Sequence, residues 1–434
     1  MSKVLYKKAG LDTKGNDINS DEYTLADFIE VPSKDLREKM RLSNQYIQDL
    51  NKKGYYGYRR ILLTPIDRTV LVLDRATGKK KKMIMMGSNS YLGLTTHPKV
   101  IEAGLKALKK YGTSASGASL LSGTTEIHEE LETRLAKFKG CEEVILFASG
   151  YAANLGLLSA LVRRNDIAFS DRLNHASIID GLQMSSCAVQ IFRHNDLEFL
   201  EKLLKRAADR YDGKLIVVDS GFSMDGDLPP LPELVTLAKR YQACLMIDDA
   251  HATGVLGKTG SGVTEHFNLK GDIDINMFTL SHSLGALGGG VGADKEVIDY
   301  LRHYARSNFF STSLPPTIVA SALAALDIIE KEPERIKQLW KNQAYLLKGL
   351  KSLGFNTLNT QSAVIPVIIG EEMTLRKVSQ RVHEGGVFLN AIPYPAVPRG
   401  ESRLRITVMA THTQEDLDQT LTVLQKAAKE FGVI

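Results

Sequence analysis

The fold of this chain is decided by one short stretch, Cys244-Leu245-Met246-Ile247-Asp248-Asp249-Ala250-His251, in which an apolar run ends on two acids and a histidine. Consecutive apolar residues followed by polar ones predict a strand that is buried on both faces, as strands in helix-covered parallel sheets are. Ligands bind such sheets at the carboxyl ends of the strands. The acids and the histidine therefore stand where a site would form.

The same pattern repeats along the chain, with helical patterns between several of the apolar runs. We predict further strands over 143–147, 167–169, 189–192, 215–218 and 277–280. Polar residues lie at or just past the ends of these runs, namely Ser149, Asp171, Asp219, Asp248 and Thr279. Short apolar strands separated by helices predict an α/β protein with a mostly parallel central sheet.

The chain divides into three predicted parts. Residues 1–88 comprise a polar arm (1–33), an amphipathic helix (33–53) and a hairpin of strands 69–73 and 82–86 around Ala76-Thr77-Gly78. Residues 89–316 form a large domain. Residues 317–434 form a smaller C-terminal α+β domain, with a helical region over 317–352, apolar runs at 363–369, 387–392 and 403–409, and a final helix from about Gln414.

Composition excludes several classes of function. The chain has 434 residues, of which 43% are hydrophobic and 24% charged, as in ordinary globular proteins. Its net charge of +5 is spread along the sequence, which does not indicate a nucleic-acid partner. No apolar run is long enough to predict a membrane span, and the three cysteines lack metal-ligand spacing. Reduced thiols and the lack of an apolar leader predict a cytoplasmic protein.

A glycine-rich turn about thirty residues after Asp248 suggests which ligand binds. It is Thr279-Leu280-Ser281-His282-Ser283-Leu284-Gly285-Ala286-Leu287-Gly288-Gly289-Gly290. An acid at a strand end, a histidine three residues on and such a turn are typical of pyridoxal 5'-phosphate (PLP) sites, in which the acid faces the pyridinium nitrogen and a lysine on the turn forms an imine. This chain has His282 where that lysine is expected, and imidazole cannot form the imine.

Each candidate also has a simpler structural interpretation. Asp248 could cap the following segment, and His251 could be a hydrogen-bonded core histidine. Ser149-Gly150-Tyr151 is either a phosphate cradle at a helix N-terminus or a plain strand-to-helix connection. His175 could stack on a flat ring, and Ser223 could donate a hydroxyl or belong to an Asp-Gly turn.

An ordered set of motifs resembles the α-oxoamine synthases, over roughly 45–430. The motifs are Asn89-Ser90-Tyr91-Leu92-Gly93-Leu94, Ser149-Gly150-Tyr151, Asn174-His175-Ala176-Ser177, Phe222-Ser223-Met224-Asp225-Gly226-Asp227, Asp248-Asp249-Ala250-His251, Phe310-Ser311-Thr312-Ser313-Leu314-Pro315-Pro316 and Leu404-Arg405. This family comprises 8-amino-7-oxononanoate synthase, glycine C-acetyltransferase, 5-aminolevulinate synthase and serine palmitoyltransferase. The chain looks most similar to bacterial serine palmitoyltransferases.

The resemblance implies an aspartate aminotransferase-like fold of type I, a homodimer with shared active sites, and PLP-dependent condensation of an amino acid with an acyl thioester of coenzyme A or a carrier protein. By matching position, Asp248 would pair with the pyridinium nitrogen, His251 and Ser223 would approach the ring oxygen, and His175 would stack on the ring. Arg405 would bind the substrate carboxylate, and Asn89 would lie near the site from the neighbouring subunit. The phosphate would be bound by Ser149, Gly150, Tyr151 and Thr279, with Ser311 and Thr312 of the partner chain. The candidate catalytic residues are His282, His175 and His251.

Three departures from the family pattern matter. Besides His282, Gly117-Ala118-Ser119 stands where the family often has Gly-Ser-Arg, and Asp219 stands where glutamate is common in relatives. PLP would then be held non-covalently or as the imine it forms with the substrate. Three hypotheses remain open: a working acyltransferase with His282 as acid and base, a silent homologue that supports a lysine-bearing partner, or a lysine-to-histidine variant that traps substrate.

Overall fold

The computed structural model describes residues 18–31, 35–74 and 78–434 of the chain. Two features predicted from the sequence lie wholly or partly outside these residues. They are the hairpin residues Ala76 and Thr77, and the arm over 1–17 and 32–33.

The described residues alternate strands and helices through most of their length. The strands are β1 Ile61–Leu62, β2 Thr69–Leu73, β3 Lys80–Met85, β4 Glu143–Phe147, β5 Ile167–Asp171, β6 Ala188–Phe192, β7 Lys214–Asp219, β8 Cys244–Asp248, β9 Ile275–Thr279, β10 Gly289–Ala293, β11 Val364–Gly370, β12 Val387–Phe388, β13 Asn390–Ile392 and β14 Ser402–Thr407.

The helices lie between and after these strands. They are α1 Leu36–Lys52, α2 Pro98–Tyr111, α3 Glu126–Lys139, α4 Gly150–Leu161, α5 Ala176–Met184, α6 Leu197–Ala207, α7 Leu231–Tyr241, α8 Val263–His266, α9 Lys295–Tyr304, α10 Arg306–Phe309, α11 Pro316–Lys331, α12 Glu334–Ser352, α13 Glu372–Glu384 and α14 Gln414–Glu430. None of the described helices is both long and apolar enough to span a lipid bilayer.

The central sheet confirms the predicted α/β class. Its strand order is β4-β10-β9-β8-β7-β5-β6, and the pairs β5/β6, β5/β7, β7/β8 and β8/β9 are parallel. Only β10 runs against its neighbours β4 and β9. The register sets Asp219 opposite Asp248, so two acids meet at the carboxyl edge of the sheet.

The antiparallel strand β10 was not predicted, because its sequence is Gly-Gly-Val-Gly-Ala and resembles a turn. Close packing explains the glycines. A Cβ on Gly289 would lie 2.7 Å from the Gly150 Cα, and one on Gly290 would lie 2.5 Å from the Phe278 ring. Glycine is therefore what allows the strand to pass so near α4 and β9.

Two smaller sheets flank the central one. The first, β11-β14-β13, is antiparallel and lies within the C-terminal residues. The second, β1-β2-β3-β12, joins the N-terminal hairpin to Val387–Phe388 through a parallel pair. The apolar run predicted over 387–392 is thus shared between two sheets. The division at residues 88 and 316 stays a prediction.

The N-terminal residues that the structure describes pack on their own chain. Phe28 and Val31 are buried against Leu42, Tyr46 and Leu50 of α1. The helical region predicted over 317–352 is two helices, α11 and α12, separated at Glu332-Pro333 because proline disfavours helix at the residue before it.

Candidate active site

The candidate site is a cavity of about 330 Å³ at the carboxyl edge of the central sheet. It brings together all but two of the predicted site residues. Those that line it are Asn89, Ser149, Gly150, Tyr151, His175, Ser223, Asp248, His251, Thr279, His282 and Arg405, together with Asn154, Ser177 and Asp219.

Asp248 ends β8 at the base of the cavity and is 5% exposed. Its carboxylate accepts hydrogen bonds from Asn154 Nδ2 at 2.7 Å and from the Ala250 backbone N–H at 3.1 Å. Burial raises the pKa of Asp248, although the Asn154 hydrogen bond opposes the shift. Burial and the neighbouring Asp248 charge also raise the pKa of Asp219 well above its usual range. Two buried acids at this edge favour a cationic group beside them.

Asn154 was not predicted as a site residue. It lies on α4, one turn beyond the strand-to-helix connection, and is fully buried. A single amide within the otherwise apolar run Tyr151-Ala152-Ala153-Asn154-Leu155 was the available signal, because buried polar groups require partners.

The N-terminus of α4 forms another wall. Ser149 caps the helix, with its Oγ accepting from the Ala152 N–H at 3.1 Å. A Cβ on Gly150 would lie 3.2 Å from Thr279, so the strand end and the helix start approach closely. Backbone N–H groups at such an N-terminus, with the helix dipole, suit an anion such as phosphate.

Two imidazoles that line the cavity stack on each other. The His251 and His282 ring centroids are 4.5 Å apart with planes inclined by 26°. His251 Nδ1 lies 2.7 Å from the Tyr91 hydroxyl, and His282 Nδ1 lies 2.9 Å from the Ala250 carbonyl oxygen. Burial lowers the pKa of His282 to about 4, and burial with the neighbouring His282 lowers that of His251 well below its ordinary value.

Arg405 enters the cavity from β14. Its Nε donates to the Ser223 carbonyl at 2.6 Å and its Nη1 donates to Asn89 Oδ1 at 3.2 Å. Burial lowers the pKa of Arg405, which is 6% exposed. Among the described residues it forms no ion pair, so this cation is available to an anion entering the cavity.

His175 and Ser223 complete the lining. His175 caps α5, with its Nδ1 2.7 Å from Ser177 Oγ and its backbone N–H 3.4 Å from Asp219 Oδ1. Ser223 follows β7, and its carbonyl accepts from Arg405.

The resemblance implied that Asn89 approaches from a neighbouring subunit, and this is wrong for the residue as it stands here. Asn89 lies in the site of its own chain, with its Nδ2 2.8 Å from His282 Nε2. The loop after β3 carries it there, and the start of that loop is joined to β14 by the Thr407 N–H, which donates to the Met86 carbonyl at 2.8 Å.

Ser311 and Thr312 do not line this cavity. They border a separate one with Ser119, His128 and Leu314. Phe310 beside them is 71% exposed, and Leu121, three residues after the Ala118 that bridges to Thr312, is 75% exposed.

The side chains present suit PLP. A buried acid without a cationic partner, a helix N-terminus and stacked or stackable rings meet in one cavity. These groups match a protonated pyridine nitrogen, a phosphate and a flat ring, respectively. The amine that would bind the aldehyde covalently is the one group that His282 does not supply.

Comparison with known proteins identifies the class. Residues 81–424 match the sequence profile of the family described as aminotransferase class I and II. The 8-amino-7-oxononanoate synthase of Thermoanaerobacter pseudethanolicus is 43% identical over 388 residues, covering 89% of this chain and 97% of that protein. The 4-hydroxy-2,2'-bipyrrole-5-methanol synthase PigH of Serratia sp. (strain ATCC 39006) is 42% identical over 413 residues. These cover 95% of this chain but span only 63% of that longer relative.

Solved structures give the same result. A serine palmitoyltransferase from S. paucimobilis with a bound PLP–myriocin aldimine superposes with a TM-score of 0.87 at 34% identity. The match covers 92% of this chain and all of that one (100%). Fold and site thus define a PLP-dependent protein of fold type I. This chain belongs to the aminotransferase class I and II family and, within it, to the α-oxoamine synthases.

Proposed function

We propose that the chain is a PLP-dependent C-acyltransferase that condenses an amino acid with an acyl thioester of coenzyme A or a carrier protein. Carbon dioxide is lost and an α-oxoamine is formed. The observation that carries the proposal is the placement of Asp248 and Arg405, two buried and oppositely charged groups, in one cavity with neither paired to the other.

Bound PLP would supply an aldehyde for the substrate amine and an electron-withdrawing ring that stabilises negative charge at Cα. Asp248 would hold the ring nitrogen protonated, and His251 with Ser223 would face the ring oxygen. His175 would cover the ring face. The phosphate would be bound by Ser149, Gly150, Tyr151 and Thr279.

Arg405 would orient the amino acid by its carboxylate, since a guanidinium offers parallel N–H donors to that planar anion. His282 would hold and move the proton at Cα through Nε2. A histidine with a pKa near 4 is neutral at physiological pH and is therefore a weak base.

A homodimer is part of the proposal. Ser311 and Thr312 would reach the phosphate of the partner subunit, and the exposed Phe310 and Leu121 beside them would be covered on association. Light scattering of the chain and of Phe310→Asp tests the assembly, since a buried charge would weaken it. The cytoplasmic location stays a prediction, which cell fractionation tests.

A second function, a catalytically impaired subunit that supports a lysine-bearing partner, is favoured by one observation. Both ring nitrogens of His282 have hydrogen-bond partners within the chain, which opposes proton transfer.

The deciding experiment titrates the purified chain with PLP and then with glycine, alanine or serine, following visible absorbance. Acyl-CoA thioesters of increasing length are then added and free CoA is measured with a thiol reagent. We expect an amino-acid-dependent spectral change and slow, thioester-dependent release of CoA. A spectral change without CoA release would favour the impaired subunit. No spectral change with any amino acid would refute the acyltransferase and would leave the supporting subunit as the remaining function.

A further inference from the structure

Asn89 connects Arg405 to His282 through hydrogen bonds whose direction is fixed at both ends. Arg405 Nη1 lies 3.2 Å from Asn89 Oδ1, Asn89 Nδ2 lies 2.8 Å from His282 Nε2, and His282 Nδ1 lies 2.9 Å from the Ala250 oxygen. A guanidinium can only donate, so the amide oxygen must face it and the amide NH₂ must face the imidazole.

The tautomer of His282 follows from this order. The NH₂ group of Asn89 can only donate, so Nε2 accepts and carries no proton. A carbonyl oxygen can only accept, so Nδ1 carries the proton. In the free chain the lone pair that would remove a proton from substrate is therefore occupied by Asn89.

The surroundings of His282 keep the ring neutral. His251 stacks on it, Tyr91 meets it edge-on with centroids 6.1 Å apart, and the charged or titratable Arg405 and His175 lie nearby. Burial lowers the pKa, the Ala250 carbonyl partly opposes this, and Arg405 and His175 lower it further. Access to the lone pair, rather than loss of a proton, then decides whether His282 can act as a base.

A carboxylate bound at Arg405 would compete with both hydrogen bonds of the Asn89 side chain, the one from Arg405 and the one to His282. Charge-assisted hydrogen bonds are roughly twice as strong as neutral ones, so a carboxylate displaces the amide oxygen from Arg405. The same anion also accepts from the NH₂ group of Asn89. Either change withdraws the amide from Nε2.

We propose that Asn89 is a positioning residue that blocks the His282 base until a substrate carboxylate binds Arg405 and releases it. This rests on the proposed function for the identity of the ligand. The substrate would thereby unmask the base that acts on it, and His282 would stay blocked in a site that lacks amino acid.

The test follows His282 itself, in the full chain without cofactor or thioester. Ring ¹⁵N-labelled histidine gives a sparse spectrum because the chain has ten histidines, and the signals of His282 are assigned with His282→Gln. The probe is acetate, which carries a carboxylate and no amine, with chloride at equal ionic strength as control. Asn89→Ala and Arg405→Met are the matched variants.

We expect His282 to be protonated at Nδ1, with Nε2 shifted by an accepted hydrogen bond. Acetate should move the Nε2 signal toward its position in Asn89→Ala. Acetate should have no such effect in Arg405→Met, where it is not bound, or in Asn89→Ala, where nothing remains to be released. Loss of one hydrogen bond to the neutral ring should raise the His282 pKa in Asn89→Ala by roughly 0.4–1 unit.

Three results would overturn the proposal. They are a His282 protonated at Nε2, no response of the unmodified chain to acetate, or an equal response in Asn89→Ala, which would indicate a direct effect of the acetate charge. The unmodified chain alone decides the first two, so a misfolded variant does not remove the test. Because neither cofactor nor thioester is used, an inactive enzyme would leave this result standing. Equally, an active enzyme whose His282 ignores acetate would refute only the role of Asn89.

Discussion

Asp248 and Asp249 are adjacent in sequence, yet the protein treats their charges in opposite ways. Asp249 is fully buried and paired with Lys139 at 2.5 Å, and it also accepts from Ser220 Oγ at 2.6 Å and from Thr253 Oγ1 at 3.1 Å. Asp248 faces the cavity with only an amide and a backbone N–H as donors. One acid is neutralised by the chain, and the other requires a ligand.

Strand β14 shows the same contrast, between paired and unpaired charges, for two arginines. Arg403 is fully buried and paired with Asp225 at 2.8 Å and Glu401 at 3.1 Å, whereas Arg405, two residues on, has no ion pair among the described residues. Removing one partner of a buried ion pair is strongly destabilising, and a buried unpaired charge at a cavity is costly until a ligand compensates it. Whether a buried charge has a partner within the chain therefore distinguishes charges that serve the fold from charges that serve ligand binding.

Placing a lysine at position 282 should have the largest effect on cofactor attachment and activity. In His282→Lys, borohydride should fix PLP covalently to the chain, and CoA release should rise on the order of 10³-fold, given typical losses for an essential catalytic group. Mass spectrometry detects the adduct. The unmodified chain is the control, and a lysine variant that remains unlabelled would mean that the cavity does not hold PLP beside residue 282.

Neutralising each acid in turn tests the contrast between them. Asp248→Asn should weaken PLP binding by about 2–5 kcal/mol, on the order of 30- to several-thousand-fold in Kd, with little change in melting temperature. Asp249→Asn should instead leave Lys139 buried without its partner and cost about 3–5 kcal/mol of stability. Fluorescence titration and thermal melts measure the two effects. Equal loss of stability in both variants would show that the contrast is not functional.

Substituting the two arginines should separate ligand affinity from stability in the same way, with a smaller effect. Arg405→Met should raise the Kd for the amino acid roughly 10- to 150-fold through loss of about 1.5–3 kcal/mol of charge-assisted bonding, without lowering the melting temperature. Arg403→Met should lower the melting temperature because Asp225 and Glu401 lose their partner. Unchanged amino-acid binding in Arg405→Met would remove this residue from the site.

The smallest expected effect is a dependence of folding stability on pH, which arises from the buried histidines. Burial lowers the pKa values of His282 and His412 to about 4, so between pH 6.5 and 4 the unfolded chain binds more protons than the folded one. The contribution of these neutral histidines to the free energy of unfolding should therefore be fully present above pH 6.5. It should fall as the pH decreases, by up to about 1.4 kcal/mol per pH unit for each group. Thermal melts of His282→Asn should show a smaller acid loss than the unmodified chain. An identical pH profile would contradict the shift.

The sequence predicted the parallel strands and the set of residues at their ends because both are periodic or local signals. It could not predict that Asn89 bonds His282, since that contact joins residues 193 positions apart across two sheets. The hydrogen bond between Tyr91 and His251 was likewise not predictable, because it depends on how the loop after β3 packs. Strand β10 was missed because its glycines serve packing rather than turning. Most of the secondary structure could be predicted from the sequence, whereas the long-range side-chain contacts could be identified only from the folded structure.

The glycine strand has one more effect. A methyl group on Gly289 would lie 2.7 Å from the Ser149 carbonyl oxygen, so any larger residue there must push the start of α4 away from β9. The spacing between the helix start and Thr279 is thus controlled by a residue that pairs with Thr279 on the neighbouring strand and does not line the cavity. Selection on how tightly an anion is held can therefore act on this neighbouring strand, at a position that a comparison of cavity-lining residues would not include.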